Sequence, residues 1–334
     1  MTVPGKKLSV TVPGKKLSVT VPGSADRKRG SGVHMVLSMA LFVTTLGADA
    51  LGPGDHTRSI VVDGLTRTCF LHVPPGYDAA KATPLVLVFH GAAGNAALAV
   101  AFTGMSGKAD EAGFIAAYPN GTGAGPVQSF NAGGRSGIAA AANADDVKFT
   151  AALLDDIGSV LNVDPKRVFA TGISNGGMMC HRLGAELSER IAAIAPVAGT
   201  LALDSIAPAR PVPVMQFHGT ADALVPWGGP GKGTPRFLRF KSVEETIKMW
   251  VKADGCPEKP AVSAEPDKAD DGTKVVRATY GPGKDGAEVV LFTIEGGGHT
   301  WPGRKPFIGF LGKATLDISA NDLMWEFFKK HPLK

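Results

Sequence analysis

One serine in this sequence stands where a catalytic nucleophile would be expected. Ser174 is the central residue of the pattern G-x-S-x-G, which runs from Gly172 to Gly176 and follows a short apolar segment. This pattern is typical of a sharp turn between a strand and a helix, where a Cβ at either glycine would clash. The N-terminus of such a helix favours the negative charge that develops when an acyl carbonyl is attacked. The motif alone is weak, because a glycine-rich chain also makes such turns without chemistry.

An acid and a base follow the serine in the order that hydrolases with this turn use. A serine hydroxyl needs a base to take its proton and a carboxylate to orient that base. Asp222 comes soon after the apolar run 212–217, and His299 follows the run 289–294 after three glycines. Both side chains would then lie beyond the carboxyl ends of neighbouring strands, where catalytic groups gather. We therefore predict a catalytic triad of Ser174, Asp222 and His299.

Other residues of the same types compete for these roles. Asp145 and Asp146 are the alternative acids, but they precede the serine in the chain, whereas the expected order places the acid after it. His181 lies on the predicted helix after the serine and is interpreted as packed or solvated. His218 ends its strand just before Gly219 and is interpreted as a structural loop residue.

Two backbone N–H groups are candidates for binding the oxyanion. Ala92 belongs to a His-Gly-Ala-Ala turn that follows an early apolar run and begins at His90. Asn175 comes directly after the serine at the start of the predicted helix. We predict that the N–H groups of Ala92 and Asn175 form the oxyanion hole.

Three more residues are predicted to contact the substrate. Asn131 lies in the segment 121–143, a long loop rich in small residues, and loops of this length are often functional. Trp301 lies two residues after His299, and Trp227 lies five residues after the predicted acid. Their indoles would offer flat apolar surface to an acyl chain or an aromatic acid. The competing interpretation is that both indoles only pack their loops, since tryptophan buries much apolar area wherever it lies.

The elements that must position these residues alternate between strands and helices. Continuous apolar runs are typical of parallel strands that are covered on both faces, and they occur at 85–89, 168–173, 191–197, 212–217 and 289–294. Helical patterns occur at 145–161, 242–253 and 321–330, and a predicted antiparallel hairpin over 59–73 precedes the first of the runs. This alternation predicts a single doubly wound, mostly parallel sheet with helices on both faces.

Taken together, these motifs resemble a known family. The residues that carry the resemblance are His90-Gly91, Ser129 to Gly134, Asp145-Asp146-Val147, Gly172 to Met179, His218 to Asp222 and Gly296 to Gly303. They look like the secreted polyhydroxybutyrate depolymerases, which are similar in turn to feruloyl and acetylxylan esterases. The resemblance covers about residues 58–330 and implies an α/β-hydrolase fold, hydrolysis of carboxylic esters, and no cofactor or metal.

The resemblance leaves the substrate to be decided. It implies esters of a hydroxybutyrate polymer or oligomer, with feruloyl or acetylxylan esters as the alternative. A serine peptidase or acyltransferase of the same fold stays open, since a fold does not fix the acyl substrate. A non-catalytic secreted binding protein that kept the scaffold also stays open.

The first 50 residues differ in character from the rest. The nine residues TVPGKKLSV occur twice, at 2–10 and 11–19, and residues 1–34 are predicted to be a disordered extension or sequence upstream of a true start at Met35. The basic residues 27–29, a short apolar run and the A-x-A site that ends at Ala50 are typical of a signal peptide, with 35–50 as its apolar region and cleavage site. We therefore predict a secreted protein in which 51–334 form a single catalytic domain without a membrane span.

Charge and cysteine content narrow the possible partners. The formal net charge is +5, but residues 1–50 hold seven Lys/Arg and two Asp/Glu, so 28 residues of each sign remain beyond Ala50. This balance gives no argument for binding nucleic acid, so an ester substrate is the predicted partner and the oligomeric state is left open. Cys69, Cys180 and Cys256 are too few for a disulfide framework or a zinc site, and whether two of them pair is also left open.

Overall fold

The computed structural model describes residues 50–133, 139, 142–231, 239–305 and 309–334, and the backbone of two strands near the N-terminus. Contacts between Cα atoms divide the chain into two units, Met1–Gly47 and Ala48–Lys334. In the first unit β1 (Lys7–Val12) pairs antiparallel with β2 (Lys15–Thr20).

The strands of this N-terminal hairpin lie mostly within the two copies of the repeat, with β1 running from the first copy into the second. The residues of both strands largely alternate between polar and apolar, a pattern that favours strands, and that 1–34 form a disordered extension stays a prediction. That residues 1–34 lie upstream of the true start stays a prediction. The predicted signal peptide, apart from Ala50, lies outside the described residues.

A mixed sheet forms the centre of the second unit. In spatial order its described strands are β12 (Ala261–Ala264), β13 (Lys274–Tyr280), β14 (Val289–Glu295), β11 (Val214–Gly219), β10 (Ala193–Val197), β9 (Val163–Ile173), β5 (Thr83–Phe89), β6 (Ile115–Pro119), β4 (Leu65–Val73) and β3 (Gly54–Val62). The six strands from β14 to β6 in this order run parallel. At one edge β13 and β12, and at the other β4 and β3, each pair antiparallel with the preceding strand. The predicted mostly parallel sheet is therefore confirmed.

Helices cover both faces of this sheet. The helices α1 (Ala96–Thr103), α2 (Met105–Ala112) and α6 (Ala320–Lys330) share one hydrophobic core with one face of the sheet, and α3 (Asp146–Val160), α4 (Asn175–Glu186) and α5 (Val243–Asp254) share a second core with the other. The strand β5 contributes to both cores, because Leu85, Leu87 and Phe89 face one and Val86 and Val88 face the other. Such a strand needs apolar residues at every position, which explains its continuous apolar run.

The segment predicted as a long loop contains a small hairpin. The strands β7 (Thr122–Ala124) and β8 (Val127–Ser129) pair antiparallel, with Gly125 in the left-handed region at φ 54° between them. Strands of three residues are too short to show a period in the sequence, so the prediction of a loop missed them.

The described helices agree with the local sequence signals. The helix α5 begins with a capping box, in which the Ser242 side chain accepts from the Glu245 N–H and the Glu245 carboxylate accepts from the Ser242 N–H. It ends at Gly255, whose φ of 62° suits a residue without a side chain. Within the described residues, no helix combines the length and apolar character that crossing a membrane requires.

The three cysteines do not pair with one another. Cys69 on β4, Cys180 on α4 and Cys256 just after α5 are all buried free thiols. Burial raises the pKa of each thiol, to about 11 for Cys256. The pairing that the sequence leaves open is therefore absent from the structure.

Candidate active site

The turn between β9 and α4 holds Ser174 in a strained conformation. Its φ is 59° and its ψ is −123°, a region that non-glycine residues rarely occupy and that is found mainly at functional sites. The Ser174 carbonyl accepts the first hydrogen bond of the helix, from the Met178 N–H at 2.9 Å. The Asn175 N–H therefore belongs to the first turn, whose N–H groups have no partner within the helix.

The end of β5 packs directly against this turn. A Cβ added at Gly176 would lie 2.3 Å from the Phe89 carbonyl oxygen and 2.6 Å from that of His90, so only glycine fits. A Cβ added at Gly91 would lie 3.3 Å from the Ser174 Cβ. The backbone that follows β5, including Ala92, therefore passes beside the serine.

His90 holds this backbone segment in place. Its Nε2 accepts from the Gly121 N–H at 3.0 Å, which leaves Nδ1 to donate to the Gly91 carbonyl at 2.7 Å. Burial lowers the pKa of His90 to about 4, so the ring is neutral at physiological pH. Ala93 adopts a left-handed φ of 61°, which completes the tight turn.

Asp222 and His299 form a short, buried hydrogen bond. The Asp222 Oδ1 accepts from the N–H groups of Leu224 and Val225, both at 2.8 Å, and its Oδ2 is 2.7 Å from the His299 Nδ1. The Asp222 side chain has no exposed surface, and that of His299 is 6% exposed. Because an ionised carboxylate only accepts, Nδ1 carries the proton, and Nε2 is left as the basic nitrogen of the ring.

The loops that carry the acid and the base pack against each other. A Cβ added at Gly219 would lie 2.3 Å from the Gly297 carbonyl oxygen, and the Ala221 N–H donates to that same oxygen at 2.9 Å. The His299 N–H donates to the Leu311 carbonyl at 2.7 Å. Backbone contacts therefore fix the separation of Asp222 and His299.

Ser174 and His299 line one cavity of about 290 Å³. Its other walls are the segment 90–93 and a set of apolar residues, namely Leu98, Ala99, Phe102, Ile173, Leu224, Phe310 and Leu311. Leu98, Leu224 and Phe310 are 40%, 52% and 75% exposed, so apolar surface surrounds the mouth of the cavity. No motif in the sequence predicted that these apolar residues would line the site. The position of Leu224, two residues after the predicted acid, is the one signal that could have indicated its role.

The structure does not place the two predicted tryptophans at this cavity. Trp301 is 1% exposed, packs in the core shared with α6 and donates from Nε1 to the Asn321 Oδ1 at 2.8 Å. Trp227 is half-buried, and its ring is nearly perpendicular to that of His218, with the ring centres 6.0 Å apart. Neither lines the cavity, and the contacts of both indoles favour the interpretation that they pack their loops.

Asn131, the third predicted substrate residue, makes hydrogen bonds within the protein. Its N–H donates to the Asp146 Oδ2 at 2.6 Å, and its Nδ2 donates to the Ala144 carbonyl at 2.9 Å. It does not line the cavity with Ser174, so these contacts assign it to holding the segment before α3. The Asn175 side chain holds the same region, because it accepts from the Phe130 N–H and donates to the Phe130 carbonyl.

The competing acids are committed to other contacts. Asp146 is fully buried and pairs with Arg67 at 2.6 Å, and Asp145 caps α3 by accepting from the Lys148 N–H. Neither is hydrogen-bonded to a histidine among the described contacts. The described residues also contain no group of three or more His, Cys, Asp or Glu side chains that could hold a metal ion.

Known proteins resemble this chain in sequence and in fold. It is 36% identical over 257 residues to NocK of Nocardia uniformis subsp. tsuyamanensis, which is assigned as an esterase, covering 74% of each chain. It is 33% identical over 243 residues to feruloyl esterase B of Piromyces equi, covering 70% of this chain but only 42% of that protein. No protein-family model matches the chain.

A solved structure supports the same fold. The acetyl xylan esterase from Aspergillus awamori superposes with a TM-score of 0.57 at 17% identity, covering 82% of this chain and 99% of that one. These relatives are carboxylic ester hydrolases, which favours the esterase prediction over the peptidase and binding-protein alternatives. The chain is therefore an esterase and belongs to the feruloyl esterase-like family of α/β-hydrolases.

Proposed function

We propose that this chain hydrolyses esters of hydroxycinnamic acids such as ferulic acid, with Ser174 as the nucleophile. The observation that carries the proposal is the apolar cavity on which Ser174 and His299 open. Ligand sites are mostly apolar cavities of roughly this size with a few placed polar groups. An acetyl group would fill only a small part of it, whereas a planar aromatic acid would contact several of its apolar walls.

The sequence resemblance favoured hydroxybutyrate esters, and the comparisons favour the alternative. The relatives reported above carry the names feruloyl esterase and acetyl xylan esterase, which supports cell-wall esters ahead of polyesters. Between these two, the apolar lining from Leu98, Leu224 and Phe310 favours the aromatic acid over acetate. The proposal therefore takes the feruloyl alternative.

Acylation would begin with proton transfer from Ser174. The Nε2 of His299 accepts the proton from the serine hydroxyl as its Oγ attacks the ester carbonyl, and Asp222 stabilises the imidazolium that results. The carbonyl oxygen becomes an oxyanion, for which the N–H groups of Ala92 and Asn175 are the proposed donors. His299 then gives its proton to the leaving alcohol, and the acyl group remains on Ser174.

Deacylation would use the same groups in reverse. A water molecule loses its proton to His299 as it attacks the acyl carbon, and the second oxyanion occupies the same donors. Collapse of this intermediate returns the proton to Ser174 and releases the free acid. Because the acyl group is held by apolar contacts, the mechanism requires no charge on it.

Measurement of kcat/KM on methyl ferulate, hydroxybutyrate oligomers and acetylated xylan tests this function. We expect methyl ferulate to be the best substrate and Ser174→Ala to lose turnover on all three. We expect Leu224→Ser to lower kcat/KM for methyl ferulate by about tenfold, because one apolar contact in a specificity cavity is lost, with little effect on acetylated xylan.

The matched control is Leu316→Ser. Leu316 is 39% exposed and does not line the cavity, so its replacement should leave all three values unchanged. A higher kcat/KM on hydroxybutyrate oligomers than on methyl ferulate would instead support hydrolysis of hydroxybutyrate esters as the main activity. No turnover of any ester would overturn the function altogether.

A further inference from the structure

Four buried side chains form a chain of hydrogen bonds that leads toward Asp222. They are Trp250 on α5, His181 on α4, and Gln216 and His218 on β11, and each is at most 1% exposed. This hydrogen-bonded network connects α4, which begins after Ser174, to the loop that carries Asp222. Such a network is costly to bury unless every member is paired.

The first part of the chain fixes the tautomer of His181. Indole nitrogen can only donate, so the Trp250 Nε1 donates to the His181 Nδ1 at 3.0 Å. Burial lowers the pKa of His181 to about 4, so its ring is neutral and carries its one proton on Nε2. This Nε2 donates to the Gln216 Oε1 at 2.9 Å.

The second part fixes the tautomer of His218. The Gln216 Nε2 donates to the Gly199 carbonyl at 2.8 Å, which sets the orientation of the amide, and it lies 3.3 Å from the His218 Nδ1. Burial also lowers the pKa of His218, so the neutral ring accepts at Nδ1 and carries its proton on Nε2. That Nε2 donates to the Val225 carbonyl at 2.8 Å.

The hydrogen-bonded network therefore ends at Val225, the residue whose N–H orients Asp222. The N–H of Val225 donates to the Asp222 Oδ1, and the carbonyl of Val225 accepts from His218, so both polar backbone groups of this residue are held. The same His218 Nε2 lies 3.6 Å from the Asp222 Oδ2, the atom that accepts from His299. The His218 N–H, which is donated to Val225, thus lies close to the oxygen that accepts from His299 without being hydrogen-bonded to it.

We propose that His218 is a positioning residue for Asp222, and that Trp250, His181 and Gln216 act through it by fixing its tautomer. The inference rests on the proposed function, because it takes Ser174, His299 and Asp222 as the working triad. His218 touches neither the substrate nor the reacting atoms in this scheme. Its role is to hold the Val225 backbone, whose N–H donates to the carboxylate.

Kinetics of His218 variants test the proposal on an activated acetyl ester, which reports the triad independently of acyl preference. We expect His218→Leu to lower kcat by about 10- to 100-fold with KM changed less than about twofold, because a hydrogen bond near a charged group is lost. We expect His218→Gln to recover most of kcat, since its amide nitrogen can stand near the lost Nε2. Trp250→Phe should lower kcat in the same direction by a smaller factor.

The matched control is Thr246→Val on the same helix as Trp250. Thr246 is equally buried and accepts from the Leu201 N–H, but it lies outside the network, so its variant should keep kcat even if it unfolds at a lower temperature. The positioning role is overturned if His218→Leu keeps kcat, or if His218→Gln is as impaired as His218→Leu. Unchanged kcat in Trp250→Phe would remove the distal part of the network from the proposal.

Ser174→Ala, measured in parallel, separates this inference from the proposed function. If Ser174→Ala is inactive and His218→Leu is unimpaired, only the positioning role fails. If the wild-type protein has no esterase activity, or if Ser174→Ala retains it, the proposed function fails first.

Discussion

Asp222 and Asp146 are both fully buried carboxylates with short hydrogen bonds, but their partners differ in kind. Asp222 accepts from an imidazole and from two backbone N–H groups, whereas Asp146 pairs with the guanidinium of Arg67. An amide in place of Asp222 could still accept from the two backbone N–H groups, so the fold should be kept. It would donate to the His299 Nδ1 instead of accepting from it, which moves the ring proton to Nε2. An amide in place of Asp146 would leave a buried cation without its counter-charge.

We therefore expect the two Asp→Asn variants to differ in what they lose. Asp222→Asn should lower kcat by on the order of 10⁴-fold, because the amide disfavours the reactive tautomer of His299, and should keep a native unfolding temperature. Asp146→Asn should unfold at a lower temperature and keep its kcat per folded molecule. Activity and thermal unfolding of the same preparations check this. The opposite pattern would make Asp146 the acid.

At the scale of single residues, the catalytic side chains can be predicted from the sequence better than the side chains that line the cavity around them. Chain order and flanking apolar runs single out Asp222 and His299, which the structure brings within 2.7 Å of each other. Neither order nor spacing tells which way a loop side chain turns. Trp301 is turned into the core, while Leu224 and Phe310, which no motif marks, line the cavity.

At the scale of elements, the C-terminal end of α5 holds an unusual acid. Asp254 is the last residue of α5, and its Oδ1 accepts from the Val212 N–H just before β11. Its Oδ2 is buried and has no partner among the described residues. Burial raises the pKa of Asp254 from 3.8 to about 7. The negative end of the helix dipole also disfavours a charge there.

This raised pKa predicts a dependence of stability on pH. Well below pH 4 Asp254 is protonated in both states, and as the pH rises through 4 toward 7 mainly the unfolded chain ionises, so its contribution to stability is lost over that range. We expect Asp254→Asn to be more stable than the wild type at pH 8, by on the order of 2–4 kcal/mol, with little gain at pH 4. Chemical denaturation at both pH values measures this.

The control for Asp254→Asn is Asp204→Asn at an exposed position, which should have nearly the same stability as the wild type at both pH values. A gain for Asp254→Asn that did not change between pH 4 and pH 8 would contradict the ionisation argument.

Elements were predictable where burial on both faces dictates composition. The runs that became β5, β9, β11 and β14 are continuous because helices cover both of their sides. The edge strand β12 and the hairpin of β7 and β8 are short and exposed, so their sequences carry little of this signal. The capping box at Ser242 was predictable because it depends on residues only three apart.

At the scale of the whole molecule, the proposed export signal divides the sequence into a basic leader and a neutral catalytic domain. We expect secreted material to begin at Leu51, whose N–H already donates to the Val160 carbonyl at 2.9 Å and so anchors the start of the domain. N-terminal sequencing of the exported protein measures this. A chain that begins at Met1 or Met35 would contradict the cleavage, and 51–334 produced directly should have the kcat of the exported protein.

The three buried cysteines can be used to measure local unfolding of this protein. A thiol reagent reacts with the exposed thiolate, and in the folded chain Cys69, Cys180 and Cys256 are buried with raised pKa values. The rate of thiol labelling under native conditions therefore reports how often the protein unfolds locally and exposes a cysteine. Because the three positions lie on β4, on α4 and just after α5, mapping the labelled peptides would tell which region opens first.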